Sequence, residues 1–211
     1  MRDKIDPLHD YAESLSGPVP DYLNAIERRT YLQTVAPQMM SGRLQGRILS
    51  LLSKLLAPRC ILEVGTFTAY ATLCLAEGLA PGGMLHTVEG DAENAARARR
   101  HIAGSPFARQ IRLYEEDATV AIRRLGLSCD LIFLDADKKS YPEYFAMLSR
   151  NLRAGGLLIA DNVLWNGKAV DEDPSSVAES IHRYNALVAD DPSLDVVMLP
   201  LRDGLSIARK R

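Results

Sequence analysis

The sequence predicts an α/β fold: a doubly wound, mostly parallel seven-stranded sheet that ends in an antiparallel hairpin and is preceded by extra helices. Three observations predict it. From residue 59 onward, short apolar β-prone runs alternate with helical stretches, the pattern of right-handed crossovers between parallel strands. The last two runs are separated only by residues 200–203, too short a link for a crossover, so they must pair antiparallel. The chain of 211 residues has no repeat, low-complexity tract or linker, and residues 1–211 read as one domain with a substantial core.

In order along the chain, residues 1–57 read as helical. Residues 7–16 form a short amphipathic candidate. Residues 20–35 follow, with Pro20 near the start, where a missing N–H costs little. Residues 41–56 carry Leu44, Ile48, Leu51, Leu52, Leu55 and Leu56 at helical spacing. Strands are then expected at 60–64, 84–88, 111–114, 131–134 and 156–160. The helices between and after them are expected at 69–79, 92–102, 118–125, 141–152 and 175–188. Residues 194–199 and 204–208 form the terminal hairpin.

Composition excludes several classes. Hydrophobic residues at 47% and charged residues at 25% are ordinary for a globular chain. A net charge of -2 offers no electrostatic case for nucleic acid or an anionic membrane. Cys60, Cys74 and Cys129 include no CxxC pair and favour reduced, mostly buried thiols over a disulfide framework or a zinc site. The N-terminus lacks an apolar leader, and no apolar run approaches the ~18 residues of a membrane span. A soluble cytoplasmic protein without nucleic-acid or membrane partners is expected.

Ligands of such sheets bind beyond the carboxyl ends of the strands, so the chemistry is sought there. After the first strand, Glu63-Val64-Gly65-Thr66 makes a tight turn; one glycine is not the three-glycine dinucleotide fingerprint. After the second comes Glu89, which can accept two hydrogen bonds from a ribose diol or simply be solvated beside the helix cap Asp91. After the third, Asp117 can bond an adenine amino group, cap the helix from Ala118, or do both. The fourth and fifth strands run into Asp135-Ala136-Asp137-Lys138 and Asp161-Asn162. Taken singly, each of these acids reads as a cap or rim residue. Together, Asp135, Asp161 and Asn162 place hard oxygen donors after adjacent strands, which suits Mg²⁺ and leaves positions for water or substrate oxygens. His9, His86, His101 and His182 are scattered and form no catalytic set; His86 falls in a strand and His182 in a helix.

These residues together resemble the cation-dependent O-methyltransferases, the family of the catechol and caffeoyl-CoA O-methyltransferases. The resemblance runs from about Met39 to the C-terminus and is closest to the bacterial and plant caffeoyl-CoA-like branch. Its parts are ILEVGTFTAYAT (61–72), TVEGD (87–91), DLIFLDADKKSYPEYF (130–145), LLIADNVLWNG (157–167) and LPLRDGLSIARK (199–210). It implies a Rossmann-like methyltransferase fold and S-adenosylmethionine (SAM) as methyl donor, with Glu63, Gly65, Thr66 and Ala71 around its methionine part. Glu89 would take the ribose hydroxyls, and Ala118 beside Asp117 would meet the adenine. Asp135, Asp161 and Asn162 would hold a divalent cation, Mg²⁺ first and Mn²⁺ or Ca²⁺ as alternatives, with Asp135 also on the cofactor side. Lys138 matches the general base. Met39 and Ser41 belong to the segment that closes over cofactor and substrate, and Tyr141, Tyr144 and Trp165 would lie near a catechol-like acceptor.

Two positions depart from the family pattern: Ala69 stands where glycine is usual, and Ala71 where serine is frequent. The first matters if that residue needs positive φ. The acceptor pocket is expected between the N-terminal helix and residues 166–176, which include the acidic Asp171-Glu172-Asp173. The resemblance implies a homodimer, in keeping with the apolar surface of residues 1–57. Two rival readings are an NAD-dependent oxidoreductase and a non-catalytic nucleoside-binding relative. The missing glycines and the terminal hairpin oppose the first, and the intact Asp135/Asp161/Asn162 set opposes the second.

Overall fold

A computed structural model describes residues 7–171 and 175–211. Its sheet has seven strands: β1 (Cys60–Val64), β2 (Met84–Val88), β3 (Ile111–Tyr114), β4 (Cys129–Leu134), β5 (Leu152–Asp161), β6 (Leu194–Leu199) and β7 (Leu205–Lys210). They lie in the order β3-β2-β1-β4-β5-β7-β6. The first five pair in parallel, whereas β7 runs antiparallel to both β5 and β6. The fold is the expected one; the short link that forces the hairpin spans residues 200–204, one longer than expected because β7 starts at Leu205.

Three helices precede the sheet: α1 (Pro7–Ser14), α2 (Asp21–Gln33) and α3 (Arg43–Leu56). A 3-10 turn, Pro37–Met39, joins the last two. The crossovers use α4 (Tyr70–Ala76), α5 (Ala92–Ala103), α6 (Ala118–Leu125), α7 (Tyr141–Asn151) and α8 (Ser176–Ala189). Alternation along β4 builds two cores from one strand. Ile132 and Leu134 pack with Tyr141, Phe145 and Tyr184 on the α7–α8 side. Leu131 and Phe133 pack with Leu49, Tyr70 and Leu73 on the α3–α4 side.

Helix α3 departs from a simple amphipathic reading. Its buried residues are Gln45, Gly46, Leu49, Ser50 and Ser53, while Leu51 and Leu55 are 58% and 76% exposed. Small residues allow close approach: a Cβ on Gly46 would lie 2.8 Å from the Tyr70 ring and 2.9 Å from Cys74 Sγ. Its leucine stripe therefore faces partly outward. The three cysteines are free, and no described helix is long and apolar enough to cross a membrane.

Candidate active site

The switch in strand order between β1 and β4 opens a crevice at the carboxyl ends of the strands. A cleft of ≈ 1370 Å³ lies there. On the β1–β3 side it is lined by Gly65, Phe67, Glu89, Asp117 and Ala118. On the β4–β5 side it is lined by Asp135, Lys138, Asp161, Asn162 and Trp165, with Tyr144 nearby on the same wall. Gln38 and Met39 contribute from the segment before α3, and His9 and Asp10 from α1.

The turn after β1 depends on contact with β4. Gly65 has φ +99, and a Cβ there would fall 2.0 Å from the Asp135 carbonyl oxygen. Phe67 and Ala69 also have positive φ, at 49° and 66°. Ala69 thus occupies the conformation in which glycine is favoured, so the departure from the family pattern adds a methyl group to a left-handed residue. That methyl is buried in the α3–α4 core. The Phe67 N–H donates to Glu89 Oε2 at 2.8 Å and the Asp91 N–H to Glu89 Oε1 at 2.9 Å, so two backbone donors aim the carboxylate. Burial pushes the Glu89 carboxyl upward. Asp117 caps α6, accepting from the Thr119 and Val120 N–H groups at Oδ1.

Glu63, Thr66, Ala71, Ser41 and Tyr141 are buried and do not line the cleft. Glu63 accepts hydrogen bonds from the Thr72 hydroxyl at 2.5 Å and the Thr87 hydroxyl at 2.6 Å, leaving Oε1 without a partner. Burial pushes its carboxyl up to about 8, against the hydroxyl donors and with help from Asp135.

On the other side, Asp161 is 4% exposed. It accepts from the Asn162 N–H at 2.7 Å and from Gln45 Nε2 at 2.6 Å. Burial first, and the Asp135 carboxylate second, raise it to about 6. Two carboxylates thus repel each other in one cleft. Lys138 Nζ pairs with Asp135 Oδ1 at 2.6 Å and donates to the Tyr141 hydroxyl at 2.8 Å. That hydroxyl's single proton is shared between the Asp161 carbonyl at 2.9 Å and the Leu134 carbonyl at 3.1 Å, tying the ends of β4 and β5 together. The loop beyond is held in left-handed backbone at Asn162, Trp165 and Asn166 (φ 58°, 49° and 54°), a concentration of strain typical of functional loops.

Among the described residues no three His, Cys, Asp or Glu side chains are grouped around a common metal position. The expected set differs in kind: two carboxylates and one amide. It fits a hard divalent cation, because Asp161 is a buried carboxylate whose ionisation Asp135 opposes. Gln45 and Arg202 are site residues that sequence reasoning missed. A glutamine on the buried face of α3 was the available signal for Gln45; for Arg202 the signal was only its place in the LPLRDGLSIARK segment. Of the acidic run at 171–173, Glu172 and Asp173 lie outside the described residues.

Comparison with known proteins agrees with this geometry. An O-methyltransferase family model matches residues 13–211. The chain is 34% identical to a catechol O-methyltransferase of Niastella koreensis, over 97% of this chain and 96% of that one. It is 30% identical to caffeoyl-CoA O-methyltransferase 2 of Petunia hybrida, over 79% and 74%. Its fold superposes with TM-score 0.90 and 26% identity on an O-methyltransferase from Bacillus cereus solved in complex with SAH (S-adenosylhomocysteine), covering 97% of both chains. The same score and identity relate it to TomG, an O-methyltransferase of Streptomyces achromogenes involved in tomaymycin synthesis and solved with SAM, over 97% and 96%. With the family's match spanning the whole sheet and every strand end that lines the cleft, the chain belongs to the O-methyltransferase family.

Proposed function

We propose that this protein transfers the methyl group of SAM to one hydroxyl of a catechol-like vicinal diol, such as a phenylpropanoid or flavonoid, with a divalent cation, Mg²⁺ foremost, held by Asp135, Asp161 and Asn162. The observation that carries this reading is the sharing of one cleft: Glu89, aimed by two backbone N–H groups, lies across from the Asp135/Asp161/Asn162 set and Lys138. The names of the relatives, catechol and caffeoyl-CoA O-methyltransferases, favour a diol acceptor. SAH and SAM in the solved neighbours favour the cofactor.

When bound, SAM would supply an activated methyl group, and a cation would lower the pKa of a chelated hydroxyl. The rest falls to the chain. Glu89 presents its carboxylate to the ribose hydroxyls, and Gly65 and Ala118 leave room for the cofactor's bulk. Lys138, after leaving Asp135 and releasing its own proton to solvent, would take the proton of the acceptor hydroxyl at Nζ. Tyr141, whose phenol burial holds well above its usual pKa, stays a neutral anchor for Lys138. Trp165, Tyr144 and Met39 offer apolar surface to an aromatic ring, and orientation of the nucleophile behind the methyl group supplies much of the acceleration.

The test is an SAH-release assay with SAM, Mg²⁺ and caffeic acid, caffeoyl-CoA or catechol as acceptor, with and without EDTA. Turnover abolished by EDTA is expected. In Asp161→Ala, turnover should vanish while SAH binding by calorimetry persists. No turnover with any diol would sink the reading, and stabilisation by NAD but not SAH would favour the oxidoreductase. The same proposal includes a homodimer joined through the exposed apolar residues of α2 and α3, Tyr31, Leu32, Leu51 and Leu55. Free cysteines suit a cytoplasmic setting.

A further inference from the structure

Arg202 stands in the turn between β6 and β7 with φ +51, a left-handed conformation that residues with a Cβ avoid. The residue is exposed and adds nothing to either core. Its guanidinium accounts for the placement. It reaches across to the segment before α3, where Nη1 donates to the Met40 carbonyl at 2.9 Å and to the Ser41 carbonyl, and Nη2 donates to the Gln38 carbonyl at 3.3 Å. Gly42 leaves room for this approach: a Cβ on it would lie 3.2 Å from Nη1.

The same turn grips the opposite bank. The Leu164 N–H donates to the Asp203 carbonyl at 2.9 Å, and the Val163 N–H to the Gly204 carbonyl at 3.2 Å. The Asn166 N–H donates to the Asp203 carboxylate. Gly204, with φ +89, is required there, since a Cβ would meet Leu164 N at 2.9 Å. One five-residue turn, itself lining the cleft through Arg202 and Asp203, therefore touches both of its walls, Gln38 on one side and the loop after Asn162 on the other.

We propose that Arg202 is a positioning residue for methyl transfer: it latches residues 38–41 over the cleft and sets their distance from the 162–166 loop, so that the slot is assembled before ligand arrives. The inference rests on the proposed reading of the cleft as a SAM and acceptor site. A planar guanidinium is suited to the task because its fixed fork of donors spans several carbonyls, whereas an ammonium is a single point. Holding the segment in advance spares the ordering that binding would otherwise require.

Arg202→Gly is the informative variant, since glycine accepts φ +51 without strain and removes only the side chain. Its melting temperature should equal or exceed that of the wild type. In ligand-free protein, amide exchange at residues 38–42 should accelerate about 10- to 100-fold, the range for losing hydrogen bonds from a charged donor. By calorimetry the Kd for SAH should rise about 3- to 10-fold, the share of affinity that preorganisation supplies. Arg202→Lys should fall between wild type and glycine in both readouts. The latch is overturned if exchange at 38–42 in Arg202→Gly matches wild type, if SAH affinity is unchanged, or if exchange accelerates throughout a chain with a lowered melting temperature. Should wild type itself fail to bind SAH, the reading of the cleft fails, and the ligand-free exchange alone then decides the latch.

Discussion

Glu63 lies beneath the cleft, 0% exposed, with its carboxyl raised to about 8 by burial. Between its ordinary 4.5 and about 8, the folded chain holds a proton that the unfolded chain has released. Stability from this group is therefore complete below pH 4.5 and lost as pH rises through about 8. In ligand-free protein, urea midpoints should fall over that window by the equivalent of a few kcal/mol, at about 1.36 kcal/mol per unit. Glu63→Gln should flatten the fall; an unchanged slope would mean that another group causes it. Gly65 makes the opposite kind of demand. Gly65→Ala would push the Asp135 carbonyl away from the turn, so loss of at least about 2 kcal/mol and of SAH binding is expected in chemical denaturation and calorimetry. For Lys138→Met, removal of the proposed general base should lower kcat about 100-fold or more while the SAH Kd holds. Equal loss of both would reassign Lys138 to binding.

At the scale of elements, Glu77 fastens three helices. Placed just after α4, it accepts from Arg47, Ser50 and Lys54 of α3 and from Tyr22 of α2. Burial alone would raise its carboxyl, but the Arg47, Lys54 and Ser50 hydrogen bonds hold it at about 2. This contribution is present above pH 4.5 and lost as pH falls toward 2, opposite in sign to that of Glu63. Glu77→Ala should cost about 3–5 kcal/mol, as expected when one partner of a largely buried ion pair is removed, read by urea denaturation at pH 7. The elements themselves were largely legible. β2, β3, α6 and β6 have the bounds that hydrophobic alternation and turn residues suggest, because local pattern and burial agree there. What was not legible is long-range: the outward stripe of α3 and the left-handed backbone of Trp165 and Arg202 depend on neighbours distant in sequence, whereas the glycine usual at position 69 had already pointed to positive φ at Ala69.

For the whole molecule, the site was readable to the extent that topology makes it so. Parallel strands deliver Gly65, Glu89, Asp135 and Asp161 to one edge, so knowing the strand ends was enough to find them. Gln45 enters from α3 and Arg202 from the hairpin turn, and no strand-end rule reaches either. The outer surface of α2 and α3 has a consequence for assembly. Leu55, 76% exposed, adjoins Leu51, and Tyr31, Leu32 and Val35 are exposed at the end of α2. Light scattering should give a dimer mass for wild type and a monomer mass for Leu55→Glu. A monomeric wild type would refute the association.

Trp165 is the sole tryptophan of the chain, and it sits on the cleft wall three residues beyond Asn162. Its indole emission is therefore an unlabelled optical reporter of that wall, free of background from other tryptophans. A titration cuvette can thus follow occupancy of that wall in real time, and, with the proposed diol as ligand, rapid mixing would time its arrival separately from turnover.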